Sequence, residues 1–343
     1  MRVDVMTAGS SIREVQRFAA EAEAAGIHGL VITESGRTAY LSATAVALVT
    51  EDLEIGTGVA VAFPRSPMVT AATSWELAEL SGGRFHLGLG TQVRAHIERR
   101  YSAQFDRPGP RMRDYVLAVK DCFAAFQREA PLDHHGDFYE MTLLPDTWSP
   151  GPIDHPDVPV LIAAVGPWMC RMAGEVTDGV HVHPLHSLTY LREKLMVDLL
   201  AGAEAAGRSR EDLTVAVPVF TAVGDTEDER EALRRRARFQ IGFYGSTKAY
   251  AHMFEMVGFE GTSARLNEKL KAGDMEGLAA VITDDMLEQF ALTCTWDELA
   301  DRLAERYSGL ADRLVLYFAQ DMARDDPSTL SRFGEVAREL ETR

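Results

Sequence analysis

The feature of this sequence that most restricts its fold is an alternation, sustained from one end to the other, of strand-like apolar runs and segments with helical periodicity. Such alternation predicts repeated βα units around a parallel sheet. Eight runs read as strands: Val3 to Thr7, Gly29 to Thr33, Leu53 to Val61, Arg84 to Leu89, Val158 to Ala164, Gly179 to His183, Leu213 to Val223 and Arg313 to Phe318. Between and after them, helices are expected over Ser11 to Ala25, Tyr40 to Thr50, Ser66 to Leu80, Arg111 to Phe126, Ser187 to Ala206, Asp225 to Phe243 and Ser328 to Leu340. Eight strands without a fixed repeat period favour an α/β fold of the (β/α)8 TIM-barrel type over a solenoid. The first helix marks both its ends. Ser11 and Glu14 form a capping box, each side chain answering a backbone N–H that the helix end leaves unpaired, and Gly26 stops the helix.

No break in composition divides the 343 residues, so 1–343 reads as a single barrel domain carrying two insertions. Residues 127–157, rich in Pro, Gly and Asp, read as a loop and hairpin; residues 244–295, helical and polar, read as a lid. A formal charge of -17 argues against binding the nucleic-acid backbone, and any anionic ligand must meet a local basic pocket. Cys122, Cys170 and Cys294 are far apart and odd in number, which predicts neither a disulfide framework nor a thiolate zinc site. The N-terminus opens directly on a strand, and no apolar run reaches membrane-spanning length. A cytoplasmic protein acting on a small-molecule substrate is the expectation.

In such a barrel ligands sit at the C-terminal ends of the strands, so the informative residues lie just past each apolar run. After the second strand Glu34 offers a carboxylate to orient a ring or accept a proton; a cap or a salt bridge is its other reading. The paired glycines of Gly56-Thr57-Gly58-Val59-Ala60 predict a bulge or a close approach of backbone to ligand, or simply a relaxed strand in a crowded barrel. Thr91 and Gln92 follow the fourth strand and offer hydrogen bonds to a heterocycle edge. Ala163 ends the fifth, and Gly166-Pro167-Trp168 opens a helix whose first N–H groups could face an anion. Alternation puts His181 and His183 on one face of the sixth strand, pointing into the barrel mouth. They read as polar lining of a cofactor pocket or, with partners that the sequence does not supply, as metal ligands; no metal site is predicted. His134 and His135 read as solvated loop residues, and Arg234-Arg235-Arg236 as an exposed helix face. Arg94, Arg99 and Arg100 lie where positive charge for a phosphate or polyglutamate tail would be useful.

Together these segments resemble the luciferase-like monooxygenase superfamily over nearly the whole chain. The strand-three segment through Ser66-Pro67-Met68, then Ser81-Gly82-Gly83-Arg84-Phe85-His86-Leu87-Gly88-Leu89-Gly90-Thr91, is similar to that superfamily's passage from third to fourth strand. Arg111 to Tyr115, Asp133 to Tyr139 and Ala173 to Val180 are similar to later parts of it. Thr91 to Arg100 and Phe243 to Thr247 resemble most an actinobacterial subgroup of coenzyme F-420-dependent oxidoreductases. The resemblance implies a hydride-transferring oxidoreductase using the deazaflavin F-420, with an FMN-dependent monooxygenase as the alternative in the same fold. It also implies a strand-three bulge at Gly58-Val59-Ala60, often with a non-prolyl cis peptide, behind the ring. Thr91 and Gln92 would contact the ring edge, Gly166 to Trp168 the ring or phosphate side, and the assembly would be a homodimer. Ser35 and Val93 stand where sugar-phosphate dehydrogenases of the superfamily carry His and Glu, which disfavours a sugar phosphate. Glu34, Gln92 and His183 are left as candidates for polarising substrate or moving a proton. From other classes, a metal-dependent barrel hydrolase or a non-catalytic deazaflavin-binding protein would also suit parts of the pattern.

Overall fold

In the computed structural model, which describes residues 1–342, the alternation closes into a barrel. Its strands are β1 (Arg2–Ala8), β2 (Gly29–Thr33), β3 (Glu54–Thr57) continued by β4 (Ala60–Val61), and β5 (Phe85–Gly90). After a small antiparallel hairpin, β6 (His134–His135) and β7 (Glu140–Met141), come β8 (Val160–Ala164), β9 (Gly179–Val182), β10 (Thr214–Val223) and β12 (Arg313–Leu316), with β11 (Ala291–Cys294) beside the far end of β10. All barrel pairings are parallel, and the circle closes where β12 lies between β10 and β1. The strand read from Leu53 to Val61 is broken in two around a cis Gly58–Val59 peptide bond.

The helices are α1 (Ile12–Ala25), α2 (Ala39–Ala47), α3 (Pro67–Ser81), α4 (Arg94–Arg99), α5 (Pro108–Phe126), α6 (Pro167–Val176), α7 (Leu188–Tyr190) and α8 (Met196–Ala205). They continue with α9 (Glu227–Gly245), α10 (Ala251–Glu255), α11 (Thr262–Ala272), α12 (Met275–Ala280), α13 (Asp284–Phe290), α14 (Trp296–Tyr307), α15 (Ala319–Asp325) and α16 (Thr329–Glu341). The capping box of Ser11 with Glu14 is formed, and Gly26 ends α1 in the left-handed region at φ 84°. Elements that escaped the sequence reading include β11, α14 and the short helices α4 and α15. The four-residue β11 is too short to show a period, and α14 follows directly on the polar insertion. α9 forms where a helix was expected and packs on β10 as well as on α11, α12 and α13, while α14 packs on α16. Among the described residues no helix is long and apolar enough to cross a membrane.

Alternation along each strand sorts its side chains between the helix-facing core and the barrel interior. Val3 and Val5 join the outer core, whereas Met6 packs inside with Val31, Leu161, Ala216 and Val315. The N-terminal end of the interior holds charge: Arg313 Nε and Nη2 donate to Asp4 at 2.7 and 2.6 Å, and a further guanidinium N–H reaches Glu54. A Cβ on Gly29 would lie 2.6 Å from Asp4 Oδ1, so this network requires glycine there.

Nearer the mouth, His86 and His181 are buried with ring centroids 6.4 Å apart and planes at 26°. Here the glycines are explained. A Cβ on Gly56 would stand 1.9 Å from His86 Nε2, and one on Gly88 would stand 1.8 Å from the Thr57 carbonyl and 2.6 Å from His181 Nε2. The strand glycines therefore make room for two internal imidazoles before any ligand is considered.

Breaking a buried ion pair from one side leaves a charge without its partner, which costs about 3–5 kcal/mol. Arg313→Met should therefore destabilise the barrel by that order, and the double variant Asp4→Leu/Arg313→Met by clearly less. Urea unfolding of the three proteins checks this; equal losses for the single and double variants would contradict it.

Candidate active site

At the C-terminal end of the barrel the break after β3 forms one side of the mouth. The Thr33 hydroxyl donates to the Gly58 carbonyl at 2.7 Å, and the Gly58 N–H donates to the Ile32 carbonyl at 2.9 Å. Val59 then covers Gly90, where a Cβ would lie 2.5 Å from Val59 Cγ2 and 3.9 Å from the Ala163 methyl. The structure thus brings Gly58, Val59, Ala60, Thr91 and Ala163 together at the ends of β3, β5 and β8. Glu34 belongs to the same side. Its Oε2 accepts the Val61 N–H at 2.7 Å and Arg65 Nη1 at 2.9 Å, and its Oε1 accepts Arg65 Nη2 at 2.5 Å. Arg65 also donates to the Val61 carbonyl and lies 5.1 Å over the Tyr40 ring. The carboxylate is thereby committed to holding the backbone that follows the break.

Gln92, in the left-handed region at φ 57°, is exposed, and its side-chain oxygen accepts the Val93 N–H at 2.9 Å. The Thr91 hydroxyl donates to the Gln92 carbonyl at 3.1 Å. Gly166 precedes α6 without a side-chain cap, Pro167 occupies the first turn, and a Cβ on Gly166 would meet nothing within 4 Å. Pro lacks an N–H, so the open donors there are those of Trp168 and Met169. The Trp168 ring lies against Gly109 of α5 and is 48% exposed.

Across the mouth the wall is aromatic. His183, just past β9, has Tyr244 of α9 and Tyr250 at 4.9 and 4.3 Å between ring centroids. The Tyr244 and Tyr317 hydroxyls are 2.6 Å apart, and Phe220 of β10 packs 4.7 Å from Tyr317. The Leu185 N–H donates to His183 Nδ1 at 3.1 Å, so the proton of the neutral ring sits on Nε2. Burial lowers the His183 pKa from its ordinary 6.5 to about 4. Burial also raises the phenols of Tyr244, Tyr250 and Tyr317. The wall therefore presents uncharged hydrogen-bond donors at neutral pH.

Other expectations meet mixed outcomes. His181 and His183 share a face as alternation required, but His181 lies deeper, beside His86, and among the described residues no three His, Cys, Asp or Glu side chains gather to hold a metal. His134 is not solvated: it is 6% exposed and bonds Asp114 and Asp121 at 2.8 and 2.7 Å, pinning the hairpin to α5. His135 is exposed. Arg94 is paired with Glu98 at 2.6 Å. His86, Tyr244, Tyr250 and Tyr317 were not singled out. The spacing His86-x-Gly88-x-Gly90 opposite Gly56-x-Gly58 carried a signal for His86; the tyrosines come from three separate segments and carried none.

His181 and His186 are buried and His183 is half-buried at the mouth, and loss of solvation lowers the pKa values of His181, His183 and His186 to about 4, about 4 and about 3. In the unfolded chain each binds a proton near 6.5, so below that pH the unfolded state holds more protons than the folded one. Their contribution to stability is full above pH 6.5 and is lost as pH falls towards 4. Acid unfolding followed by tryptophan fluorescence should show this decline, shifted to lower pH in His183→Phe; an unshifted curve would contradict it.

The chain is 38% identical over 293 residues to an uncharacterised protein of Mycobacterium tuberculosis, covering 85% of this chain and 86% of the relative. It is 28% identical over 295 residues to a 5,10-methylenetetrahydromethanopterin reductase of Archaeoglobus fulgidus, covering 85% of each. The coenzyme F-420-dependent tetrahydromethanopterin reductase of Methanopyrus kandleri has the same fold, with a TM-score of 0.79 at 18% identity over 99% of this chain and 98% of that one. Because residues 1–313 match the model of the luciferase-like monooxygenase family, the chain belongs to that family and is one of its enzymes.

Proposed function

We propose that the protein is a coenzyme F-420-dependent oxidoreductase that transfers a hydride between the deazaflavin and a small organic substrate. The observation that carries this reading is the broken third strand, set beside strand ends that lack side-chain bulk and facing a wall of neutral donors. Val59, Gly90 and Ala163 form a surface on which a flat ring system can rest, and the open space at Gly166 fits a backbone approach of the group that follows the ring. Relatives named for F-420 support the same reading.

In this site Gly58, Val59 and Ala60 would back the cofactor ring, Thr91 and Gln92 would meet its edge, and Gly166, Pro167 and Trp168 would meet the side bearing its phosphate. When bound, the deazaflavin supplies an obligate hydride carrier; the protein supplies placement, electrostatics and dryness. Glu34 acts through Arg65 and the Val61 N–H to fix the strand that backs the ring. His183 Nε2–H and the Tyr317–Tyr244 hydroxyl pair are the groups able to polarise a substrate oxygen or pass it a proton. The helices from α9 to α13, carrying Tyr244 and Tyr250 over the mouth, exclude water. The three cysteines are buried free thiols, which suits a reducing cytoplasm.

Side-by-side fluorescence titration of the purified protein with F-420 and with FMN tests the cofactor. Tight F-420 binding with weak FMN binding is expected; the reverse would put an FMN-dependent monooxygenase in its place.

The working form is proposed to be a homodimer. Leu41 of α2, Leu48 at its C-terminal cap, and Val69 and Leu80 of α3 are 63, 65, 55 and 43% exposed on two packed neighbouring helices, an apolar face of the kind that a second copy covers. Light scattering should give twice the mass of one chain, and Leu41→Glu/Leu48→Glu should return it to one. A monomeric parent protein would contradict the proposal.

A further inference from the structure

The wall across the mouth holds one imidazole and three phenols: His183 just past β9, Tyr244 of α9, Tyr250 just before α10, and Tyr317 just past β12. The Leu185 N–H occupies His183 Nδ1, so Nε2 carries the proton of the ring, and it has no partner among the described residues. A neutral imidazole with one proton donates a hydrogen bond readily but is a poor acid. Loss of solvation opposes a second proton, holding the pKa down at about 4. His183 can therefore polarise an oxygen without supplying the proton that the oxygen gains.

The phenols are unequal as proton sources. A phenol gives up its proton most easily where neighbouring donors hold the oxygen left behind. The Tyr244 and Tyr317 hydroxyls are 2.6 Å apart, and the side chain of Gln240, one helical turn before Tyr244, also bonds the Tyr244 hydroxyl. Burial raises the Tyr244 phenol, and both contacts work against that rise. For Tyr317 burial, and then Tyr244 itself, hold the phenol well above its ordinary value. Tyr317 is thus the donor within the pair. A hydroxyl accepts two hydrogen bonds and gives one, so Tyr244, receiving the Tyr317 O–H and the Gln240 N–H, keeps its own proton free to leave. Tyr250 meets His183 with its ring, and its hydroxyl has no such support among the described residues.

We propose that Tyr244 is the proton donor of the reaction, that His183 Nε2–H is the second contact to the same oxygen, and that the group reduced is an uncharged carbonyl, an aldehyde or a ketone. The carbonyl carbon gains a hydride supplied by reduced F-420, the carbonyl π pair moves onto oxygen, and that oxygen takes the Tyr244 proton. The products are an alcohol, the oxidised cofactor and a tyrosinate, which Tyr317 O–H and Gln240 N–H hold until a proton from solvent restores it. Tyr317 and Gln240 are positioning residues. No free charge on the wall competes for the substrate. Asp321, whose charge reaches Tyr317, is paired with Arg324 at 3.0 Å, and Glu34 is paired with Arg65. A charged end of a ligand finds no counter-ion among these groups, whereas a carbonyl oxygen finds two donors. The inference rests on the F-420 reading of the mouth and deepens it by naming the donor and the group reduced.

The probe is para-dimethylaminobenzaldehyde, whose absorption band moves to longer wavelength when its carbonyl oxygen accepts a hydrogen bond; para-dimethylaminostyrene has the same outline without that oxygen. Both are titrated into the full-length protein without cofactor, in wild type, Tyr244→Phe, Tyr317→Phe and His183→Phe. Each substitution keeps an aromatic ring in place, and melting temperatures record that the variants fold. The aldehyde should bind the wild-type protein more tightly than the styrene, with a shifted band. Tyr244→Phe should weaken the aldehyde about 3–10-fold, as expected for one hydrogen bond, shrink the shift and leave the styrene unchanged. Tyr317→Phe should keep most of the shift, and His183→Phe should lose part of it. A shift that survives in Tyr244→Phe, that disappears in Tyr317→Phe, or that is absent from the wild-type protein overturns the proposal. Reduced F-420 is then added. The aldehyde band should decay in the wild-type protein, and at least about 100-fold more slowly in Tyr244→Phe, as expected for loss of a general acid. Equal rates, or no decay in wild-type protein that has bound F-420, also overturns it. Failure of F-420 to bind would refute the cofactor reading alone, since the band shift is measured without it.

Discussion

The contact on which the barrel depends is that of Arg313 with Asp4. It joins the last strand to the first, and through Glu54 it reaches the third, so one guanidinium ties together the two ends of the chain that must meet for the sheet to close. Buried charge of this kind adds little net stability compared with an apolar core, because desolvation opposes the attraction. What it provides is selectivity of register. An Arg facing any partner but Asp4 would leave two charges unpaired inside, and the glycine at position 29 has no Cβ to keep the pair apart. The consequence is a barrel whose N-terminal end is held by charge, leaving its other end to be shaped by volume.

Volume governs the upper half. His86 and His181 fill space that Gly56, Gly58 and Gly88 leave empty, and they lie directly beneath the break at Gly58–Val59. The mouth's backing surface therefore stands on two rings that are themselves confined by strand backbone. Glu34 and Arg65 hold the same backbone from the side. Two supports, the imidazoles below and the Glu34–Arg65 pair at the side, converge on one short segment, the arrangement expected where a ligand must be held to within a fraction of an ångström.

How far this was legible follows from how local each signal is. The eight strands, the capped first helix and the glycines at 56, 58, 88 and 90 are patterns of neighbouring residues, and the sequence displays them directly. That Glu34 is bound by Arg65, and His134 by Asp114 and Asp121, depends on residues from 13 to 31 positions apart meeting in space. Spacing alone does not reveal that. The unread β11 and α14 have a related cause: β11 is a four-residue strand paired with the far end of β10, and α14 packs on α16, so both are defined by partners distant in the chain.

The electrostatics of the whole chain and of the site run in opposite directions, and distance reconciles them. A net charge of -17 repels acids at long range, but at physiological ionic strength that field decays over about 8 Å. Within that distance only nearby groups count. The wall of His183, Tyr244, Tyr250 and Tyr317 is uncharged, and Glu34 is neutralised by Arg65. A site so cleared of negative charge is indifferent to an anion rather than hostile to it. The commitment of Glu34 to Arg65 therefore does more than brace the strand: it also keeps the charge of that carboxylate from facing an anion at the mouth.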